Sequence, residues 1–278
     1  YAVIMPQKID LVKNKDRFPY GAYPEDYELK TIVLDIVSKD SVVLSNYLAL
    51  SAQARSRGTM IMLHGIGGCK EDYLGIAKSL TDSGYNCLIY DARAHGQSGG
   101  EHCTFGYHEK EDVQAVVSAI LAQNPKTSIG IWASSMGAAV ALQALAIEPR
   151  IKFGVIESTF TELPEIVYQY QKRYCYGIGL RFASNRTLTL AGRIASFDPY
   201  KIQPIKICPQ IKQPILMNHG DADYHIDIRY GKQLFEALGS VDKTFYTVKG
   251  AGHTNLYTVG GESYYENTLD FISKHFSI

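Results

Sequence analysis

The sequence has no surplus of either charge, no paired-cysteine motif and no long apolar run. Its 28 Lys and Arg residues balance its 28 Asp and Glu residues, so no global field attracts nucleic acid or an anionic membrane. Its five cysteines lack CxxC spacing, which argues against a disulfide framework and a structural zinc site. No run of about 18 apolar residues is present to span a bilayer. The overall charge therefore indicates no class of partner.

The chain starts with a short apolar stretch, residues 1–5 (YAVIM). This stretch is compatible with the end of a removed signal or anchor segment, and equally with an ordinary chain boundary. We expect a cytoplasmic location, with the cell envelope as the alternative if a signal or anchor precedes residue 1.

Short apolar strands alternate with helical stretches from residue 59 onward. Strands are predicted at 59–63, 85–90, 128–132, 152–157, 214–219 and 243–248, and helices near 70–82, 108–123, 136–147, 226–238 and 262–276. This alternation indicates βαβ units, hence a mostly parallel sheet with helices on both faces. Residues 31–37 and 41–50 predict a hairpin at its antiparallel edge. A less regular segment covers residues 160–200.

The turn after strand 128–132 indicates a reactive serine. Residues 133–137 (ASSMG) approximate the motif G-x-S-x-G, with Ala133 at the first glycine position. Such a strand-to-helix turn holds the serine hydroxyl clear of the backbone and near the positive end of the helix. The alternative is that Ser134 and Ser135 only cap the helix. We predict Ser135 as the nucleophile.

A base and an acid are available in later loops of the same sheet edge. His253 follows the last strand and Asp223 follows the strand before it, so Ser135, Asp223 and His253 come in the chain order expected of a Ser-His-Asp arrangement. Asp221 is a competitor for the acid, and either aspartate could instead form an Asx turn. The other histidines that we considered are interpreted as loop, structural or poorly placed residues: His102, His108, His219 and His225.

The loop at residues 64–68 (HGIGG) follows strand 59–63 and is rich in glycine. Its Ile66 backbone N–H, together with that of Met136 after the nucleophile, can stabilise an oxyanion. Fixed donors of this kind contribute about 3–4 kcal/mol each in the transition state. A glycine-rich loop before a helix can alternatively bind phosphate, although this one lacks the G-x-x-x-x-G-K-[ST] pattern.

Five segments in order resemble the α/β-hydrolase family and extend over most of residues 60–255. They are residues 63–68 (LHGIGG), 90–100 (YDARAHGQSGG), 132–139 (WASSMGAA), 219–223 (HGDAD) and 250–253 (GAGH). The second corresponds to the family's Asp-x-Arg-Gly-His-Gly-x-Ser loop, with Ala94 at the first glycine. That loop is architectural in the family, so we assign no catalytic role to Asp91, Arg93 or His95.

The resemblance implies an α/β-hydrolase fold and a Ser-His-Asp mechanism that needs no cofactor and no metal. The sequence is similar to the serine aminopeptidase-like and Bem46-like subgroups, many of which are esterases or lipases. The implied function is hydrolysis of a small-molecule acyl ester through an acyl-enzyme intermediate, with no nucleic-acid partner. A peptidase, a thioesterase or a non-catalytic binding protein of the same fold are the alternatives.

The family often places a cap between the strands at 152–157 and 214–219. We therefore interpret residues 160–200 as a cap insertion within a single domain of residues 1–278. Tyr168, Tyr174 and Phe182 are candidate substrate contacts in a stretch, residues 166–186, that has basic residues and no acidic one. Such cations would favour an acidic substrate. The alternatives are a surface helix with aromatics packed inward, or a surface for single-stranded nucleic acid.

Overall fold

The computed structural model describes residues 3–276, and a central sheet of eight strands is found in this range. Residues 1 and 2 of the apolar start lie outside it. The strands are β1 Thr31–Ile32, β2 Asn46–Ala49, β3 Thr59–Leu63, β4 Asn86–Tyr90, β5 Ile129–Ser134, β6 Ile151–Glu157, β7 Ile215–Gly220 and β8 Lys243–Val248. Their spatial order is β1-β2-β4-β3-β5-β6-β7-β8. Strands β3 to β8 pair in parallel, and β2 is antiparallel to both neighbours, which confirms the predicted mostly parallel sheet.

Helices cover both faces of this sheet. They are α1 Leu74–Asp82, α2 Glu109–Gln123, α3 Met136–Leu145, α4 Leu163–Tyr174, α5 Arg181–Ile194, α6 Pro204–Ile207, α7 Ile228–Ala237 and α8 Leu256–Phe276. Apolar side chains of α2, α3 and α7 pack on one face. Those of α1 and α8 pack on the other face, around Trp132 and Phe153. The sheet is therefore buried on both sides, as its continuous apolar strands require.

The predicted hairpin is shorter in the structure than in the sequence interpretation. Strand β1 ends at Ile32 because the side chain of Asn46 takes over the next pairing position. Its amide oxygen accepts the Leu34 N–H at 3.0 Å, and its Nδ2 donates to the Leu34 carbonyl at 2.8 Å. Pairing resumes only as an isolated bridge between Val37 and Val43.

One other expectation needs correction. The segment at 160–200 contains two regular helices, α4 and α5, joined by a turn at residues 175–180. Helix α8 is broken at Gly261, where φ is 58° and ψ is −147°, so its longer part runs from residue 262 to 276, as predicted. The pair Gly260-Gly261 interrupts the helical pattern in the sequence, and glycine at this kink adopts a conformation that other residues avoid.

Helices α4 and α5 pack on the body of the molecule through a separate apolar cluster. Their buried side chains include Ile166 and Leu188, which join Phe160 and Phe197 beside Met136. Four of the cysteines are buried free thiols, and Cys175 in the turn is exposed. Within residues 3–276, no helix is long and apolar enough to cross a membrane.

Candidate active site

Ser135 lies at the bend between β5 and α3, at the carboxyl end of the sheet. Its φ of 55° and ψ of −118° are unusual for a non-glycine residue. The Ser135 backbone N–H donates to the Glu157 carbonyl of the neighbouring strand at 2.9 Å. This bend requires a small residue two positions later, because a Cβ on Gly137 would lie 2.5 Å from the Leu63 carbonyl oxygen and 2.6 Å from that of His64.

We expect the Gly137→Ala variant to lower the free energy of unfolding by about 1–3 kcal/mol, since backbone atoms cannot yield to the added methyl group. Urea denaturation measures this change. Gly75→Ala is the matched control, because a Cβ there meets only Tyr27 at 3.8 Å. It is expected to raise stability by up to about 1 kcal/mol through helix propensity. Equal stability of the two variants would contradict the close approach at Gly137.

Three predicted residues from three loops form one hydrogen-bonded line. His253 Nε2 lies 2.9 Å from Ser135 Oγ, and His253 Nδ1 lies 2.8 Å from Asp223 Oδ2. A carboxylate only accepts hydrogen bonds, so Nδ1–H is the donor and Nε2 is left to accept the serine proton. The structure thus brings Ser135, His253 and Asp223 together in the order that a serine nucleophile, a base and an orienting acid require.

The Asp223 carboxylate is fixed from both sides. Its Oδ1 accepts the backbone N–H groups of His225 and Ile226, both at 2.9 Å. Burial raises the pKa of this carboxyl, but hydrogen bonds with His219 and His253 outweigh burial and hold the pKa well below its usual range. Asp223 is consequently ionised at neutral pH.

Asp221, the competing acid, has a different partner. Its Oδ1 accepts the Gly250 backbone N–H at 2.6 Å. This contact joins the loop after β7 to the loop that carries His253. Asp221 therefore supports the position of the histidine loop, whereas Asp223 contacts the imidazole itself.

The predicted oxyanion loop lies against Ser135. A Cβ on Gly65 would be 3.1 Å from Ser135 Cβ. His64 holds the loop in place, because its Nδ1 bonds the Gly65 carbonyl at 2.8 Å and its Nε2 accepts the Ala92 N–H at 3.0 Å. Burial lowers the pKa of His64, so its Nε2 is free to accept. The N–H groups of Ile66 and Met136 have no protein acceptor within residues 3–276.

The loop with Asp91 and Arg93 braces this region from behind. Asp91 accepts hydrogen bonds from Lys70 Nζ at 2.9 Å and from the backbone N–H groups of Lys70 and Gln97. Arg93 forms a two-point ion pair with the buried Asp112. None of these contacts reaches Ser135, which agrees with an architectural role for the loop.

A cavity of about 600 Å³ opens in front of Ser135 and His253. Of the three candidate substrate contacts, Tyr174 lines it. Tyr168 and Phe182 are absent from its lining in residues 3–276. The Arg181 guanidinium lies 4.1 Å from the centroid of the Tyr168 ring, and the Phe182 side chain is 77% exposed. Tyr170, which was not selected as a substrate contact, contributes to the cavity wall.

The basic side chains of the 166–186 stretch do not line this cavity. Arg173 donates to His225 Nδ1 at 3.0 Å and to the His225 carbonyl at 3.1 Å. Burial, together with the positive charge of the Arg173 guanidinium, lowers the pKa of His225 and keeps its Nδ1 available as an acceptor. His225 lines the cavity, with its ring centroid 5.3 Å from that of His253. Sequence reasoning set this histidine aside.

Glu157 is a buried carboxyl group at the inner end of the cavity, and it was also missed. It accepts a short hydrogen bond from Tyr264 and one from Asn218 Nδ2 at 3.3 Å. Burial raises the pKa of Glu157 above its usual value and outweighs the hydrogen bonds with Tyr264 and Asn218, which lower it. Nearby, Ser134 Oγ is 2.9 Å from Tyr73 OH. The inner end of the cavity is therefore polar.

The sequence and the fold match one known family. A family model of the alpha/beta hydrolase fold matches residues 58–197, half of the chain. The chain belongs to the α/β-hydrolase family. Within residues 3–276, no group of three or more His, Cys, Asp or Glu side chains is placed to hold a metal ion.

Individual relatives extend the similarity over most of the chain. The uncharacterized protein YqkD of Bacillus subtilis is 28% identical over 219 residues, which are 77% of this chain and 70% of the relative. Human protein ABHD12B is 28% identical over 169 residues, covering 59% of this chain and 44% of its own. Among solved structures, the Pyrococcus furiosus esterase Pf2001 has a TM-score of 0.79 at 23% identity, with 98% of each chain covered. Est1E of Butyrivibrio proteoclasticus, solved with ferulic acid, has a TM-score of 0.69 at 20% identity, covering 87% of this chain and 99% of Est1E.

Proposed function

We propose that the protein is a serine hydrolase that cleaves an ester-type acyl bond. The observation that carries this proposal is the hydrogen-bonded line from Ser135 Oγ through His253 to Asp223, which ends at an open cavity. A serine hydroxyl is a weak nucleophile unless a base removes its proton, and this line supplies both the base and the group that orients it.

The reaction would proceed in two halves. His253 takes the Ser135 proton as Oγ attacks the acyl carbonyl, and the amides of Ile66 and Met136 stabilise the oxyanion. His253 then protonates the leaving alcohol, and an acyl-enzyme ester remains on Ser135. Water, deprotonated by His253, attacks this ester and releases the acid. Asp223 remains ionised throughout and stabilises the imidazolium.

The cavity supports a small or medium-sized ester as substrate. Its volume of about 600 Å³ is typical of sites for small molecules. Ile66, Ile76 and Leu256 give it apolar wall, and Glu157 gives it a polar inner end. We propose that residues 160–200 act as its cap, inside a single domain of residues 1–278. The esterase name of the Pyrococcus furiosus neighbour and the ferulic acid bound to Est1E support a carboxylic ester.

Labelling with a fluorophosphonate probe tests the nucleophile. We expect wild-type protein to be labelled and Ser135→Ala to remain unlabelled, because the probe phosphonylates only an activated serine. Ser134→Ala is the matched control and should label normally, since Ser134 Oγ bonds Tyr73 OH instead of a histidine. Absence of labelling in the wild type, or equal labelling of Ser135→Ala, would disprove the proposal. A p-nitrophenyl ester series from acetate to palmitate, run beside peptide and thioester substrates, then identifies the acyl bond and the acyl length.

A further inference from the structure

The turn between α4 and α5 exposes large apolar side chains one after another. The exposed fractions are 99% for Tyr176, 65% for Ile178 and 59% for Leu180, and Phe182 follows at 77%. A Cβ on Gly177 would meet no atom within 4 Å, so the turn projects into solvent. Scattered exposed apolar residues are ordinary, but a contiguous patch of them marks a contact surface.

Helix α5 continues this surface along its outer face. Phe182, Arg186, Leu190 and Arg193 are all exposed and are spaced four, four and three residues apart, which places them on one side of a helix. Leu188, on the opposite side, is buried against the body of the molecule. Apolar and basic side chains therefore share the face that points away from the protein. Binding at a lipid interface draws on both, because it depends on buried apolar area and on attraction to anionic lipid.

The charge of this region has one sign. Residues 166–197 contain five Lys and Arg residues and no Asp or Glu. Arg173 and Arg181 bind side chains of the protein itself. The exposed side chains of Lys172, Arg186 and Arg193 have no acidic partner within residues 3–276. Although the whole chain is neutral, this patch is locally cationic, and local charges dominate within a Debye length of about 8–10 Å.

We propose that the surface formed by residues 172–193, here the cap face, docks the protein on a bilayer that carries anionic headgroups. The aromatic and aliphatic side chains would enter the headgroup boundary, and the unpaired cations would contact lipid phosphates. A projecting surface suits a broad anionic plane. Tyr174 belongs both to the cap face and to the cavity lining, so docking brings the cavity entrance to the lipid surface.

Flotation of the full chain with vesicles tests the proposal. We expect binding to phosphatidylcholine vesicles that contain phosphatidylglycerol, weak binding to phosphatidylcholine alone, and loss of binding at high salt. Each Lys or Arg near an anionic surface contributes about fivefold in affinity, so Arg186→Glu with Arg193→Glu should weaken binding at least about twentyfold. Tyr176→Asp with Ile178→Asp should weaken it at least about tenfold by removing the inserted apolar groups.

Matched controls come from the amino ends of the strands, which lie at the opposite end of the sheet from Ser135. Lys126→Glu with Lys152→Glu makes the same change in net charge, and Val241→Asp places an acid at a side chain that is also fully exposed. These variants should bind like wild type, and circular dichroism should show all variants folded. The proposal is overturned if anionic vesicles do not bind the protein, or if both pairs of cap-face substitutions leave binding unchanged. It is also overturned if sedimentation shows a dimer that the cap-face substitutions dissociate, because a second copy of the chain would then cover the cap face.

Discussion

Replacing Asp223 by asparagine is expected to lower kcat for ester hydrolysis about ten-thousandfold, with little change in KM. The Asp223 carboxylate accepts the Nδ1 proton of His253 and keeps Nε2 free for Ser135. An asparagine amide can present its NH₂ group to Nδ1 instead, which favours the tautomer that cannot accept the serine proton. The loss thus falls on the chemical step, and steady-state kinetics with a p-nitrophenyl ester measures it.

The matched control is Asp221→Asn, two residues away. Asp221 accepts a hydrogen bond from the Gly250 N–H, and an asparagine oxygen can accept the same bond. We expect kcat to fall by less than about tenfold, because only one hydrogen bond is weakened. A larger loss of kcat in Asp221→Asn than in Asp223→Asn would show that the acid has been assigned to the wrong residue.

The second large effect is on stability, and it concerns the buried ion pair of Lys70 and Asp91. Both side chains are fully buried, with Lys70 Nζ 2.9 Å from Asp91 Oδ2. Burial lowers the pKa of Lys70, but the charges of Asp91 and Glu71 outweigh burial and raise it. Asp91→Ala removes the main partner of a buried cation and the acceptor of two backbone N–H groups. We expect the free energy of unfolding to fall by about 3–5 kcal/mol.

Urea denaturation of Asp91→Ala and of a surface control measures this difference. Asp82→Ala breaks the ion pair between Asp82 and Lys78, and both of these side chains are partly exposed to water. Such surface pairs contribute about 0–1 kcal/mol, so the control should unfold near the wild-type midpoint. If Asp91→Ala were as stable as Asp82→Ala, the bracing role of the Asp91 loop would be wrong.

Most of the sheet and the central site residues could be predicted from the sequence because both depend on local patterns. Strand β3 is a run of five buried residues, four of them apolar, and its predicted bounds agree with the structure. Ser135, Asp223 and His253 each follow a strand that pairs in parallel with its neighbours, so topology alone places them at one edge of the sheet. The predicted hairpin was too long because the Asn46 side chain takes the place of a backbone partner for Leu34. Strand propensities do not describe hydrogen bonds between a side chain and the backbone.

The cavity lining was less accessible to sequence reasoning. Tyr170 and Tyr174 are one helical turn apart and stack at 6.3 Å, so they share a face of α4, whereas Tyr168 points elsewhere. The sequence shows which residues share a face but does not show which face meets Ser135. That depends on how α4 packs, through Ile166, on residues distant in the chain. Glu157 was hidden for a similar reason, since its partners Tyr264 and Asn218 come from other elements.

At Ser135, the proposed chemistry and the stability of the fold favour different residues. A φ of 55° costs a non-glycine residue about 1–3 kcal/mol, because its Cβ crowds the backbone. Glycine would relieve that cost and remove the hydroxyl. The packed sheet and its helices must therefore compensate for a locally unfavourable conformation at Ser135, and selection for stability alone would drive this position away from serine.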